Sequence, residues 1–150
     1  MAGPALTRSV FKSLARDPNN KDLYLQSNVF GNMIVALDKN PPESQWDVYA
    51  GPKKGQYYFV HAVGVHHDTL WAMTCRDTHQ VSLSPFDPKA GPTSIQLWDI
   101  LGDDPYRIYP VGRGNILLNV RGSSYPQGTE VIVWKWDDNP NSKWHIIPVA

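Results

Sequence analysis

The chain has 150 residues, long enough for one domain with its own hydrophobic core. Fourteen basic side chains balance fourteen acidic ones, so the formal net charge is zero. This balance argues against a disordered tail and against a nucleic-acid binder that relies on a broad basic field. Thirteen prolines and eleven glycines divide the chain into short pieces and exclude long helices.

The single cysteine, Cys75, excludes an intramolecular disulfide, and we expect its thiol to be buried and inert. No secretory signal is visible between Met1 and Leu14, and there is no Asn-x-Ser/Thr acceptor for glycosylation. No stretch approaches the roughly 20 apolar residues that cross a bilayer, so we predict no membrane insertion. Together these features favour a cytoplasmic protein.

Short apolar runs of strand length recur along the chain in three groups of four, separated by clusters of Asp, Asn, Pro and Gly. In chain order the runs begin with Val10-Phe11, Leu23–Leu25, Met33–Leu37 and Trp46–Tyr49, continue with Tyr57–Val60, Leu70–Met73, Val81–Leu83 and Trp98–Ile100, and end with Tyr106–Tyr109, Ile116–Leu118, Val131–Trp134 and Trp144–Ile147. The pattern predicts twelve short strands in one all-β domain, residues 1–150, with three repeats of approximately 6–50, 51–102 and 103–150.

A helix competes with the first strand, because four apolar residues of segment 6–15 lie at helical spacing. These residues are Leu6, Val10, Phe11 and Leu14. Two observations favour a strand instead. The segment corresponds to Phe59 and Ile108 of the other repeats, and ten residues before Pro18 form only a marginal helix in isolation.

Three four-stranded repeats that each end on a tryptophan strand resemble the β-trefoil, and specifically the ricin B-chain-like lectin family with its Gln-x-Trp repeat. The resemblance covers essentially the whole chain and extends to the small, disulfide-free lectins of mushrooms. The motif is intact at Gln96-Leu97-Trp98, whereas Gln45 directly precedes Trp46 and Lys143 directly precedes Trp144. The resemblance implies pseudo-threefold symmetry, with a six-stranded barrel capped by three hairpins and the tryptophans in a shared core.

The third repeat resembles the family's sequence pattern most closely, and this resemblance implies sugar-binding roles for Asn119, Trp134 and Asn141. In such lectins an Asp and a later Asn hold sugar hydroxyls while an aromatic ring stacks on the pyranose. Here Asn119 replaces the carboxylate, and Ile132 stands where a Gln commonly helps. A neutral amide can still donate and accept, but its hydrogen bonds are weaker than charge-assisted ones, so we expect a weak site or an altered specificity.

The residues around Trp134 add further candidates for sugar binding. Polar and aromatic side chains follow it closely, namely Trp136, Asp137, Asp138, Asn139 and Asn141. We expect Trp134 and Trp136 to point to opposite faces, so that at most one lies in the core while the other is a stacking platform. The alternative is an ordinary turn, because Asp, Asn and Pro are common in any tight connection.

Other parts of the chain offer weaker sites. In the first repeat Gln26, Asp38 and Asn40 could form a polar notch, but no aromatic residue occupies the stacking position. The pair His66 and His67 with Asp68 matches no strong zinc signature, and nucleophile and phosphate-loop motifs are absent. We therefore predict no catalytic residues, no metal and no cofactor.

The sequence thus favours a carbohydrate-binding protein whose partners are glycans or glycoproteins, of galactose, GalNAc or LacNAc type, with a role in defence. A homodimer would multiply a weak single site through avidity. The alternative is a β-trefoil inhibitor of serine or cysteine proteases that acts through the proline-framed loops Lys39–Glu43 and Phe86–Pro92. A third reading is an interaction module without a small ligand, since one fold hosts unrelated activities.

Overall fold

The computed structural model describes residues 3–28, 32–62, 69–77, 79–122 and 124–149. They form twelve β-strands, in chain order β1 (Arg8–Arg16), β2 (Asp22–Ser27), β3 (Met33–Ala36), β4 (Trp46–Ala50), β5 (Gln56–His61), β6 (Leu70–Cys75), β7 (Val81–Phe86), β8 (Trp98–Leu101), β9 (Arg107–Pro110), β10 (Ile116–Val120), β11 (Val131–Lys135) and β12 (Trp144–Pro148). Short 3-10 turns, Pro42–Ser44, Ser94–Gln96 and Pro140–Ser142, precede β4, β8 and β12. No helix in the described part of the chain is long and apolar enough to span a membrane.

The first and fourth strands of each repeat close into a six-stranded barrel. Antiparallel pairs join β1 to β4, β4 to β5, β5 to β8 and β8 to β9. A bridge between Tyr106 and Trp144 links the start of the third repeat to β12, and β12 pairs with β1. Since closing the ring leaves these strands without a free edge, the barrel satisfies its own backbone hydrogen bonds.

The second and third strands of each repeat form three hairpins that cap one end of the barrel. The hairpins are β2–β3, β6–β7 and β10–β11. Single bridges join each hairpin to the next, namely Asn32 to Ser82, Ile34 to Glu130 and Gln80 to Ile132. The predicted fold class is confirmed, with twelve strands in three equivalent groups of four.

Three buried tryptophans tie the barrel to the cap. Trp46, Trp98 and Trp144 have no exposed surface. Each indole N–H donates to a backbone carbonyl on the second strand of its own repeat, at 3.3, 3.1 and 3.0 Å. The acceptors are Leu25, Met73 and Leu118. A buried N–H without a partner costs free energy, so these bonds allow a large ring to occupy the core.

The departures from Gln-x-Trp are compensated locally by serine. Two residues before the tryptophans lie Ser44, Gln96 and Ser142, all buried. Gln96 Nε2 reaches Pro85 O at 3.0 Å, whereas Ser44 Oγ donates to Asp38 O and Ser142 Oγ to Asp137 O. Each serine side chain thus hydrogen-bonds to the loop that precedes its 3-10 turn, so the absence of glutamine at these two positions does not alter the fold.

Segment 6–15 is extended, as predicted from its match to the other repeats. Strand β1 pairs with β2, β4 and β12, and its Val10 and Phe11 are buried. Helical spacing in this segment is therefore overridden by tertiary pairing, which supplies burial that an isolated short helix lacks. Cys75 is also buried, and burial raises the pKa of its thiol, which disfavours the reactive thiolate.

His61 makes folding stability depend on pH. Its ring packs on Trp46 with centroids 4.8 Å apart, and Nε2 lies 2.7 Å from Ser27 Oγ. Burial lowers the pKa of His61 below its ordinary 6.5. His61 therefore binds a proton more readily in the unfolded chain than in the folded one. The free energy of unfolding should thus fall as the pH drops below about 6.5.

The measurement is urea unfolding at pH 7.5 and 5.0 for the wild type and His61→Gln. We expect the variant to be less stable than the wild type at pH 7.5 but to lose less stability on acidification. Equal acid sensitivity of the two proteins would contradict a role for His61 in this pH dependence.

Candidate functional site

A pocket of about 620 Å³ opens beside the hairpin β10–β11 of the third repeat. It is bordered by this hairpin, by the turn that precedes β12 and by His79 and Gln80, the two residues just before β7. The residues that line it are His79, Gln80, Asn119, Arg121, Gly122, Glu130, Ile132, Trp134, Asp137, Asn139 and Asn141. Five of the seven predicted site residues are thus brought together: Asn119, Trp134, Asp137, Asn139 and Asn141.

The hairpin presents one polar, one aliphatic and one aromatic side chain on the same face. Asn119 on β10 is the direct partner of Ile132 on β11, and Trp134 lies two residues further along β11. Cross-strand partners share a face, as do alternate residues of one strand. Trp134 keeps 42% of its surface exposed, so its ring is accessible to a ligand.

Two buried amides in the pocket have polar atoms without a protein partner. Asn119 is 2% exposed and Asn141 is 6% exposed. Asn141 Nδ2 donates to Val120 O at 2.9 Å, which fixes the side chain, but its Oδ1 has no partner, and neither has Asn119 Nδ2. An unsatisfied buried polar group costs about 1–3 kcal/mol, so Asn119 Nδ2 and Asn141 Oδ1 are candidates for hydrogen bonds to a water or a ligand.

The turn before β12 is held by its own hydrogen bonds. Asp137 Oδ1 accepts from Asn139 N at 3.0 Å, and Ser142 Oγ donates to Asp137 O and Asn139 O at 3.2 and 3.0 Å. Burial raises the pKa of the neighbouring Tyr125, and the negative charge of Asp137 raises it further. Asp137 therefore brings a carboxylate to the pocket wall on a rigid support.

Trp136 and Asp138 lie outside the pocket. Arg107 Nη2 contacts Asp138 Oδ1 at 2.6 Å, and its guanidinium lies 5.6 Å from the ring centre of Trp136. Lys143 Nζ also lies 3.0 Å from Asp138 Oδ1. Lys143 and, to a smaller degree, Arg107 hold the pKa of Asp138 below its ordinary value. The prediction that these two residues share a site with Trp134 is not supported by their placement.

The two tryptophans do part, but for a different reason from the one expected. Residues two apart in a strand lie on the same face, so strand alternation cannot separate them. Instead β11 ends at Lys135, and Trp136 leaves the strand towards Arg107. Both rings are exposed, 42% for Trp134 and 46% for Trp136, so neither serves the core.

Four residues that line the pocket were not predicted from the sequence, namely His79, Gln80, Arg121 and Glu130. His79 and Gln80 belong to the second repeat, and their side of the pocket depends on how the hairpins meet. Arg121 and Glu130 form an ion pair at 3.1 Å across the end of β10–β11. Arg121 directly follows β10 and Glu130 directly precedes β11, so the register of this hairpin would have predicted that the two side chains lie opposite each other.

The equivalent positions in the other repeats do not reproduce the pocket. The tryptophan hydrogen bonds and the hairpin registers define the equivalent positions. In the first repeat, Gln26, Ala36 and Glu43 correspond to Asn119, Trp134 and Asn141, in that order. In the second repeat, the corresponding residues are Thr74, Ser84 and Ile95. Neither set contains an aromatic ring. Three of the polar members already bond within the protein: Gln26 bonds to Ser44, and Ser84 bonds to Thr74 and to Gln96.

The described residues contain no group of three His, Cys, Asp or Glu side chains close enough to hold a metal ion. His66, His67 and Asp68, which the sequence analysis weighed as a metal cluster, lie outside the described residues.

The fold is shared with solved structures of low sequence identity. The designed 3-fold symmetric protein ThreeFoil is 17% identical, with a TM-score of 0.72 over 95% of this chain and 99% of its own. A ricin B-like lectin from Macrolepiota procera, solved with lactose, is 14% identical, with a TM-score of 0.68 over 99% and 100% of the two chains. The C-half of an earthworm R-type lectin, solved with GalNAc, is 20% identical, with a TM-score of 0.65 over 94% and 98%.

The chain has the β-trefoil fold of the ricin B-like lectins. The resemblance inferred from the tryptophan repeats is therefore confirmed for the architecture. No protein-family model matches the sequence, and no curated protein matches it significantly.

Proposed function

We propose that this β-trefoil is a carbohydrate-binding protein that recognises glycans, without chemical turnover, at the pocket of the third repeat. The observation that carries the proposal is that the exposed indole of Trp134 lines the same pocket as two buried amides. Of these amides, Asn119 Nδ2 and Asn141 Oδ1 have no hydrogen-bond partner. A sugar hydroxyl both donates and accepts hydrogen bonds, so it can satisfy both amides, while the indole covers the apolar C–H face of the ring.

We further propose a preference for galactose, GalNAc or LacNAc-type glycans. The support is the fold shared with lectins that were solved with lactose and with GalNAc. Asp137 adds a carboxylate to the pocket, although Asn119 replaces the carboxylate expected on β10. A charge-assisted hydrogen bond is roughly twice as strong as a neutral one, so Asp137 supplies part of the affinity that Asn119 lacks.

Only one repeat carries this arrangement among the described residues, which has a consequence for binding strength. A single shallow sugar site gives an affinity of about 1 mM, or about −4 kcal/mol. We therefore propose that useful binding comes from a homodimer on a surface rich in glycans or glycoproteins, where a second engaged site raises avidity about 10²-fold or more. A cytoplasmic location and a role in defence complete the proposal.

The first experiment is a glycan array probed with the purified wild type and with Asn119→Leu. We expect hits on terminal galactosides that free sugar competes away and that the variant loses. Leucine has the same branching and number of side-chain heavy atoms as asparagine and removes the unpartnered Nδ2, so the free energy of unfolding should change by no more than about 1 kcal/mol.

The stability measurement separates loss of the site from loss of the fold. Binding that survives Asn119→Leu in a stable protein would contradict the proposed site. A wild type that binds no glycan would contradict the function, and the loops Lys39–Glu43 and Phe86–Pro92 would then be tested against serine and cysteine proteases.

A further inference from the structure

We infer that the pocket holds two sugar rings, and that His79 and Gln80 of the second repeat form the subsite for the second ring. The inference rests on the proposed function, because it assigns a disaccharide to the same pocket. It adds a binding element that comes from outside the repeat carrying Trp134, Asn119 and Asn141.

The backbone of His79 and Gln80, just before β7, is bonded to the third repeat. His79 O accepts from Val133 N at 3.0 Å, and a backbone bridge joins Gln80 to Ile132. Asp77 Oδ1 accepts from His79 N and Gln80 N at 2.8 and 2.7 Å. These bonds hold the pKa of Asp77 below its ordinary value, so the carboxylate that supports the turn stays ionised near neutral pH. The backbone that carries the two side chains is thus held at the pocket wall.

The His79 ring extends the apolar surface next to Trp134. Their ring centres are 5.3 Å apart, with an angle of 50° between the planes. The two tilted rings form two adjacent apolar surfaces that are not coplanar. This shape suits two sugar rings joined by a glycosidic bond better than one flat pyranose. The pocket volume of about 620 Å³ points the same way, because pockets of roughly 300–1,000 Å³ take drug-sized ligands and one pyranose is smaller than these.

Gln80 supplies the polar part of the second subsite. Its Nε2 donates to Asn32 Oδ1 at 3.3 Å, which orients the amide. The Oε1 atom of this oriented amide can accept a hydrogen bond from a hydroxyl of the second ring. Asn119 and Asn141, by contrast, are buried at the base of the third repeat and serve the first ring.

The test compares methyl β-galactoside with lactose and N-acetyllactosamine by NMR titration of the wild type, Gln80→Ala and His79→Ala. In the wild type we expect the disaccharides to bind about fivefold more tightly than the monosaccharide, as one added neutral hydrogen bond allows. Gln80→Ala should remove most of the disaccharide advantage, and both Gln80→Ala and His79→Ala should weaken binding of the disaccharides more than binding of methyl β-galactoside. The backbone amide signals of His79 and Gln80 should shift only with the disaccharides.

Gln45→Ala is the matched control, because Gln45 also anchors its amide, to Asn40 O at 3.0 Å, but lies in the first repeat away from the pocket. It should retain the full disaccharide advantage. Equal affinity for all three sugars in the wild type would overturn the second subsite and leave the proposed function intact. An equal loss of all three sugars in His79→Ala and Gln80→Ala would also overturn it, since that result assigns both residues to the support of Trp134. Absence of binding to any of the three would overturn both proposals for galactosides.

Discussion

Replacing Trp144 with alanine should lower the free energy of unfolding by about 3–5 kcal/mol, the range for truncating a large buried aromatic side chain. Trp144 has no exposed surface, and its indole N–H donates to Leu118 O at 3.0 Å. Alanine leaves a cavity in the shared core and an unpaired carbonyl on β10. For a domain of this size the melting temperature should fall by roughly 10 °C or more.

Two further variants separate the contributions. Trp144→Phe keeps most of the ring volume but loses the donor, so we expect a smaller cost of about 1–3 kcal/mol, that of an unsatisfied buried carbonyl. Trp136→Ala removes a tryptophan that is 46% exposed and should change stability by only about 0.5–1 kcal/mol. Chemical unfolding followed by circular dichroism measures all three. A near-neutral Trp144→Ala would contradict the role of this residue as the anchor between barrel and cap.

The sequence could predict the architecture because its signal is repeated three times. Each repeat places a tryptophan at the start of its last strand, and each of these rings reaches a carbonyl of the same repeat. The two degenerate motifs, with Ser44 and Ser142 in place of glutamine, then matter little, since the tryptophan itself recurs in all three repeats. Repetition also decided between strand and helix in segment 6–15, where local spacing alone was ambiguous.

The candidate site was only partly predictable, because its walls depend on contacts between repeats. Asn119, Trp134 and Asn141 were implied by the family resemblance, and the structure places all three in one pocket. Gln80 could not be found in this way, since its place at the pocket follows from the bridge to Ile132, which pairs two hairpins distant in sequence. Asp138 lies outside the pocket because adjacent turn residues point in different directions, and the local sequence does not record its ion pairs with Arg107 and Lys143.

The pocket also distinguishes the third repeat from the described parts of the other two. In the second repeat the position equivalent to Trp134 is Ser84, which bonds to Thr74 and Gln96, so its polar atoms are used inside the protein. In the third repeat Asn119 and Asn141 leave polar atoms unsatisfied. Under the proposed function a bound glycan would recover the free energy lost there, whereas Gln26, Thr74 and Ser84 at equivalent positions already bond within the protein.

Replacing Trp134 with alanine should weaken glycan binding at least about 30-fold, the effect expected for a tryptophan that provides at least about 2 kcal/mol of binding free energy. The ring is the aromatic surface of the pocket that lies on the same face as Asn119 and Ile132. Because Trp134 is 42% exposed, its removal should change the free energy of unfolding by only about 1 kcal/mol.

Trp136→Ala is the matched control for this variant, because it removes an equally exposed tryptophan two residues away that contacts Arg107 instead of the pocket. Titration of both variants with the best array ligand, beside unfolding curves, measures the two effects separately. We expect Trp136→Ala to bind like the wild type. The opposite pattern, with binding lost in Trp136→Ala and kept in Trp134→Ala, would move the site to the surface formed by Trp136, Arg107 and Asp138. Loss in both variants without unfolding would mean that the ligand spans the turn before β12 and contacts both rings.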